Sequence, residues 1–270
     1  VAQAGPAAGA APVGRVLLLG NSRWHWAEPD GAGGLRCWHL PPGTAIGAPG
    51  ELVGWAAVGA VPAAAGLPTE RRIGLEQVPL AAAPPWLGID RALAGWWAWQ
   101  QQPEGDRGGV LVADAGTALS LSRVDGAGAF AGGRLLAGVG LQLRSLAAGT
   151  HLLPELALGG ALALPPDPWP RETAAAMARG CLEAAAAAIA AAWRDVALTN
   201  GPGDPASGPS AGLPAEPAVA PWSLWLTGGD AGALLPLLQR QGLPVRWAPE
   251  LCLEALAALT GLAGTALDVG

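Results

Sequence analysis

The sequence predicts an α/β protein with mixed sheets, and three observations carry that prediction. A strand, a glycine turn and a returning strand occur twice, once near the start of each half. The first copy is 15–19, Gly20-Asn21-Ser22 and 23–27; the second is 110–113, Asp114-Ala115-Gly116-Thr117 and 118–122. Strand-like and helix-like runs alternate after each hairpin, the pattern of α/β proteins, while the hairpins themselves add antiparallel pairs. A third glycine turn, Thr227-Gly228-Gly229-Asp230, joins a strand-like run to a helix-like one.

Each element has a local reason. Residues 15–19 are a short Val/Leu run stopped by Gly20-Asn21-Ser22, residues that favour turns, so 23–27 reads as the returning strand. The third strand is expected at 54–61, and a helix at 90–102 carries Trp96, Trp97 and Trp99. The second hairpin alternates through Ala118-Leu119-Ser120-Leu121-Ser122, and Gly126-Ala127-Gly128 is a turn signal into 129–136. Residues 138–148 read as helix, and 172–193 as a long Ala-rich helix with Thr173 near its start. The Gly/Pro/Ser/Ala-rich segment 199–221 is expected to be a flexible insertion. The last strand is expected at 223–226 and the helix after it at 231–241. The repeated hairpin suggests an internal duplication, with lobes at 13–104 and 105–270 and a frayed tail at 1–12.

Composition excludes several function classes. All 15 basic residues are arginine, so no step can use a lysine; a Walker-type phosphate loop and Schiff-base chemistry are both ruled out. The net charge of −6 argues against a general nucleic-acid binder. Cys37, Cys181 and Cys252 are odd in number and lack a C-x-x-C spacing, which fits buried thiols in a reducing compartment. No apolar run in the sequence suggests a membrane span, and 1–12 lacks the basic start and long apolar core of a signal peptide. The expected location is the cytoplasm. His25, His39 and His151 lie far apart with no partner spacing, and no metal or catalytic role is expected of them.

Glycine after a buried strand lets backbone approach a ligand and aim N–H groups at a phosphate. Two such hairpins and the later Gly-Gly turn form an arrangement similar to that of the actin and sugar-kinase superfamily. A closer resemblance rests on four segments in order. Pro85-Trp86-Leu87-Gly88-Ile89-Asp90-Arg91 resembles the Gly-x-Asp-Arg motif of type III pantothenate kinases, and Asp114-Ala115-Gly116-Thr117-Ala118 their Asp-x-Gly-Thr-Ala loop. Gly132-Gly133-Arg134-Leu135-Leu136-Ala137-Gly138 resembles their Gly-Gly-x-Ile-x-Pro-Gly turn, with Ala137 in place of Pro, and Thr227-Gly228-Gly229-Asp230 their nucleotide turn.

The resemblance implies two ribonuclease H-like lobes with flanking helices, a homodimer, and transfer of a phosphoryl group from ATP to pantothenate with Mg²⁺ and a monovalent cation, K⁺ or NH₄⁺. It implies Asp90 as general base; Gly88, Ile89, Asp90, Arg91 and Thr173 at the substrate; Gly20, Asn21, Ser22, Gly116, Thr117, Gly132, Gly133, Gly228 and Gly229 at ATP; and Asp114 at a cation. Read from the residues alone, Asp90 is equally an N-cap, Arg91 a solvated charge, Asp114 a turn residue and Thr173 a helix cap. The first hairpin departs from the family, which carries an Asp that helps to hold Mg²⁺ where this chain has Leu18. Gly20-Asn21-Ser22-Arg23-Trp24-His25-Trp26 matches a pattern in some cyanobacterial members, Gly-Asn-Ser-Arg-x-His-Trp. A catalytically impaired relative that binds nucleotide or pantothenate and regulates a partner is the rival expectation. Another kinase of the superfamily would keep the hairpins but has no reason to carry Gly88-Ile89-Asp90-Arg91.

Overall fold

Two sheets of matching topology organise the chain. The computed structural model describes residues 14–44, 51–104, 107–156, 162–198 and 222–262, so the expected tail at 1–12 and insertion at 199–221 lie outside the described residues. The described residues fall into two compact units. One runs to residue 78 and adds 88–90 and residues from 252 onward; the other holds 79–87 and 91–251.

The first unit is built on β1 (Arg15–Leu19), β2 (Trp24–Pro29), β3 (Leu35–Leu40) and β4 (Leu52–Ala57), in the order β3-β2-β1-β4. β1 pairs antiparallel with β2 and parallel with β4. Val16 through Leu19 are all buried, so both faces of β1 are covered, which is why it reads as a continuous apolar run. Leu17 and Leu19 pack with Trp24, Trp26, Leu52 and Trp55, and Trp26 stacks on Trp38 at 6.0 Å. On the same sheet Gly54 permits a close approach: a Cβ there would lie 2.3 Å from Thr260 Cγ2.

β2 also carries a buried carboxylate. Glu28 pairs with Arg15 at 2.7 Å and with Arg36. Burial is the largest single influence and pushes its carboxyl up, but the hydrogen bonds from Arg36 and Arg15 together outweigh it and hold the group below the ordinary carboxylate range. A lowered folded value means the contribution to stability is present above the unfolded value and lost as pH falls through the folded one. Glu28→Gln is therefore expected to lower stability by about 1–3 kcal/mol at neutral pH and to flatten the acid limb of a melting-temperature profile.

The second unit repeats the plan. β5 (Val110–Ala115), β6 (Ala118–Val124), β7 (Phe130–Ala137), β8 (Ser223–Thr227) and β9 (Val245–Trp247) form a sheet of order β7-β6-β5-β8-β9. β5 is antiparallel to β6 and parallel to β8, as β1 is to β2 and β4. α2 (Val139–Gly149), α3 (Thr173–Leu198) and α4 (Ala231–Arg240) supply helices. Leu182, Ala186 and Ile189 of α3 are wholly buried in one core with Leu111, Leu121, Leu224, Leu234 and Leu238. α3 is long and apolar enough by composition to cross a membrane, a property missed in the sequence, but half of it is buried in this unit. It reads as a core helix.

Several expectations need correction. The strand expected at 54–61 is β4, at Leu52–Ala57, and the third strand in order is β3, which was not foreseen. β8 is not the last strand, since β9 follows, and α5 (Leu251–Leu259) was also missed. The helix at 90–102 is α1 (Ile89–Gln100), and the long Ala-rich helix extends past residue 193 to Leu198. Of the three cysteines, none of them in a disulfide, Cys181 is buried but Cys37 and Cys252 are only half-buried.

Candidate active site

Three chain segments of the second unit meet at the end of β5. Register sets Asp114 between Ser120 of β6 and Thr227 of β8, one residue before the strand ends. The turn that follows is tight: Gly116 N–H donates to Ala118 O at 3.1 Å, and Thr117 is exposed at its tip. β8 leaves the sheet through Gly228, whose φ of 94° favours glycine. A Cβ at Gly228 would lie 2.5 Å from Asp114 Oδ1 and 2.6 Å from Ala115 O. Gly229 is exposed with open space beside it.

The third segment is the start of α2. Gly138 N–H donates to Thr117 O at 3.1 Å, and a Cβ at Gly138 would lie only 2.0 Å from Gly116 O. Backbone thus rests directly on backbone, which no side chain at 138 permits. Asp230 completes the junction. Its N–H donates to Ala115 O at 2.9 Å, and its carboxylate accepts from Val139 N–H, the first residue of α2. It stands at the N-cap position of α4 yet makes no side-chain cap there. Its carboxylate serves the neighbouring helix, whose own N-cap, Gly138, has no side chain to offer. Gly138 and Asp230 closed two of the quoted motifs but were not singled out; their position beside conspicuous glycines was the available signal.

Burial pushes the Asp230 carboxyl up, against the lowering effect of the Val139 N–H. A raised folded value means the ionised form is disfavoured in the fold: the contribution favours folding at low pH and is lost as pH rises through the folded value. Asp230→Asn keeps an oxygen acceptor for Val139 N–H and removes the charge. Its melting temperature relative to the parent chain is expected to climb as pH is raised from acid to neutral, as differential scanning calorimetry would read.

Gly132 and Gly133 are not brought to this junction. Register places Gly133 opposite Ser122, and four residues along β7 from Ala137 is about 13 Å. A Cβ at Gly133 would lie 2.4 Å from Leu121 O and 2.6 Å from Arg91 Nη2, so this glycine lets strand and arginine pack closely. Arg91 Nε donates to Ser122 Oγ at 3.1 Å, and its guanidinium stands over Phe130 at 5.5 Å. Asp90, half-buried, is the second residue of α1, where a carboxylate meets the positive end of the helix dipole. It lies one residue inside the helix, so it is not in the N-cap position. Ile89 is buried, Gly88 half-buried, and Thr173 is the exposed first residue of α3.

The first turn lies in the other unit. Gly20 N–H donates to Arg23 O at 2.9 Å, and Asn21 and Ser22 are exposed. Leu18 is 5% exposed and pairs with His25 across the hairpin. His25 Nδ1 lies 2.9 Å from His39 Nδ1, which corrects the reading of these histidines as unrelated. Their meeting depends on β3, the strand that was missed.

Fit to a divalent cation is partial. Asp114 offers a carboxylate beside the second turn, while Leu18 offers no oxygen at the first. No group of three or more His, Cys, Asp or Glu able to hold a metal occurs among the described residues. A cation here would lean on water and substrate oxygens, as Mg²⁺ commonly does.

Parallel strands ending in glycine turns, with a carboxylate and a threonine at their carboxyl ends, define an α/β protein suited to taking an anion there. The chain belongs to the type III pantothenate kinase family. Residues 70–195 match that family. The type III pantothenate kinase of Synechococcus sp. (strain JA-3-3Ab) is 34% identical over 248 residues, 90% of this chain and 90% of that one. That of Thermosynechococcus vestitus is 40% identical over 192 residues, 69% of this chain and 72% of the relative. Among solved structures, the activator of 2-hydroxyisocaproyl-CoA dehydratase from Clostridium difficile, with bound ADPNP, is similar over 93% of this chain and 94% of that one, at a TM-score of 0.43 and 10% identity.

Proposed function

We propose that this chain phosphorylates pantothenate at the expense of ATP, giving 4′-phosphopantothenate and ADP, the first step of coenzyme A biosynthesis. Family membership over nearly the whole chain is the observation that carries this reading. The pantothenate 4′-oxygen attacks the γ-phosphorus, the bond from that phosphorus to the β-phosphate oxygen breaks, and the hydroxyl proton passes to the Asp90 carboxylate. Such transfer depends on positioning and charge stabilisation more than on covalent chemistry, which suits rigid backbone turns.

Gly116, Thr117, Gly228 and Gly229 are assigned to the nucleotide, supported by the convergence of their turns on Asp114. Gly20, Asn21 and Ser22 are assigned to the terminal phosphate. Gly132 and Gly133 remain assigned to the nucleotide side by the motif alone, since their packing against Leu121 and Arg91 gives no geometric support. Gly88, Ile89, Arg91 and Thr173 are assigned to pantothenate. Asp114 would hold Mg²⁺ or a monovalent cation, K⁺ or NH₄⁺; bound with the nucleotide, such ions neutralise charge building on the phosphates.

A cytoplasmic homodimer completes the proposal. The edge strand β7 exposes Leu135, at 63%, and Leu136, and α2 exposes Leu141 and Leu146, a set of apolar side chains suited to cover by a second copy. Light scattering of purified chain is expected to give twice the monomer mass, and Leu135→Asp to reduce it; a monomeric parent chain would refute the assembly. The regulatory rival is favoured by one observation, the buried Leu18 in place of a carboxylate. Pantothenate-dependent ADP release decides between them: turnover supports the kinase, and binding of both ligands without turnover supports the regulator.

A further inference from the structure

We propose that His25 and His39 form a two-imidazole site for a divalent transition-metal ion of the nickel or copper class, on the sheet surface beside the Gly20–Asn21–Ser22 turn. The two residues are direct cross-strand partners of β2 and β3, so their side chains leave the sheet on one face and stand side by side. Their Nδ1 atoms are 2.9 Å apart, with ring centroids at 4.9 Å and ring planes inclined by 67°. His25 is half-buried and His39 exposed, so an ion can reach them from solvent.

The two nitrogens stand close enough to share one metal ion. Imidazole nitrogen binds such ions at about 2.0–2.1 Å, so two ligands at a right angle stand about 2.9 Å apart, and two at the tetrahedral angle about 3.3–3.4 Å. A separation of that order suits neighbouring positions in a tetragonal or octahedral site, a geometry that Cu(II) and Ni(II) favour, and imidazole is a good ligand for both ions. Without metal, one Nδ1 donates its proton to the other, whose lone pair faces along that bond. A modest turn of each ring about χ2, a soft torsion for histidine, aims both lone pairs at a common point. Metal binding at both Nδ1 atoms requires the donor ring to shift its proton from Nδ1 to Nε2 by exchange with water, so that each neutral ring carries its one proton on Nε2. His25 Nε2 lies 3.2 Å from where a Cβ of Gly20 would be, so a metal at Nδ1 fixes an N–H donor beside that turn.

No third His, Cys, Asp or Glu joins the pair among the described residues, so water completes the coordination. The inference is independent of the kinase reading, and its test does not use turnover. Tag-free full-length chain is titrated with NiCl₂ by calorimetry, beside His25→Gln, His39→Gln and His151→Gln, with circular dichroism to check folding. His151 is the chain's remaining histidine and serves as the control. The parent chain and His151→Gln are expected to bind one equivalent, with affinity at least about tenfold weaker in His25→Gln and in His39→Gln, since losing a direct ligand exceeds the usual effect of losing a supporting one. His39→Gln alters an exposed side chain and keeps the test valid should His25→Gln fail to fold. Absence of binding by the parent chain, unchanged binding in His39→Gln, or loss only in His151→Gln would overturn the site and leave the pair as a hydrogen bond alone.

Discussion

Asp90→Asn is expected to lower turnover by about 10²–10⁴-fold while leaving the melting temperature nearly unchanged. The substitution keeps the size of the side chain and its place in the first turn of α1, and removes the one property a general base needs. Its place in the first turn of α1 sets the carboxylate at the positive end of the helix dipole, where a negative charge is favoured. Steady-state kinetics should show the loss in kcat more than in KM for pantothenate, because the missing proton acceptor acts late. A loss confined to stability, or turnover within a few-fold of the parent chain, would remove Asp90 from the chemistry.

Gly138→Ala is expected to act through geometry. Its φ of −64° is open to any residue, so backbone strain is not the issue. The added methyl would meet Gly116 O at 2.0 Å and Thr117 O at 2.6 Å, and these backbone atoms have no rotamer by which to yield. The Gly116–Thr117 turn or the start of α2 must shift, and a misplacement near 1 Å can weaken a reaction by about 10²-fold. A stability loss of about 1–3 kcal/mol should accompany it, the usual range for overpacking. Nucleotide titration following the chain's tryptophan fluorescence would read the affinity term separately. Unaltered ATP binding in Gly138→Ala would mean that this turn does not hold the nucleotide.

How much of this was legible in the sequence depends on what each segment offered. β1 and β5 were readable because both faces are buried, so their apolar runs are continuous and end at glycine. β3, Leu-Arg-Cys-Trp-His-Leu, is at an edge and leaves Arg36 and His39 exposed, which dilutes the apolar signal. β9 has three residues, too few for a period. α5 was missed for the opposite reason: Leu251, Leu253, Ala255, Leu256 and Ala257 are all buried, so no polar face marks it as a helix.

The site divided in the same way. Glycine turns at strand ends were visible, and the structure brings Asp114, Gly116, Thr117 and Gly228 together with Gly138. The link from Asp230 to Val139 could not be read, because an Asp before a helix suggests a local cap and here reaches a different helix. The meeting of His25 and His39 was equally hidden, since it needs the register of a strand that the sequence did not announce.

The measurement that bears most directly on the central claim is identification of the product. Purified chain incubated with ATP, Mg²⁺, K⁺ and pantothenate is followed by phosphorus NMR, with the product confirmed by mass spectrometry. The account predicts a new phosphate monoester on the 4′-oxygen of pantothenate, formed in step with ADP and absent with Asp90→Asn. ATP left intact while pantothenate and nucleotide both remain bound, or ADP formed with no phosphorylated pantothenate, would contradict it.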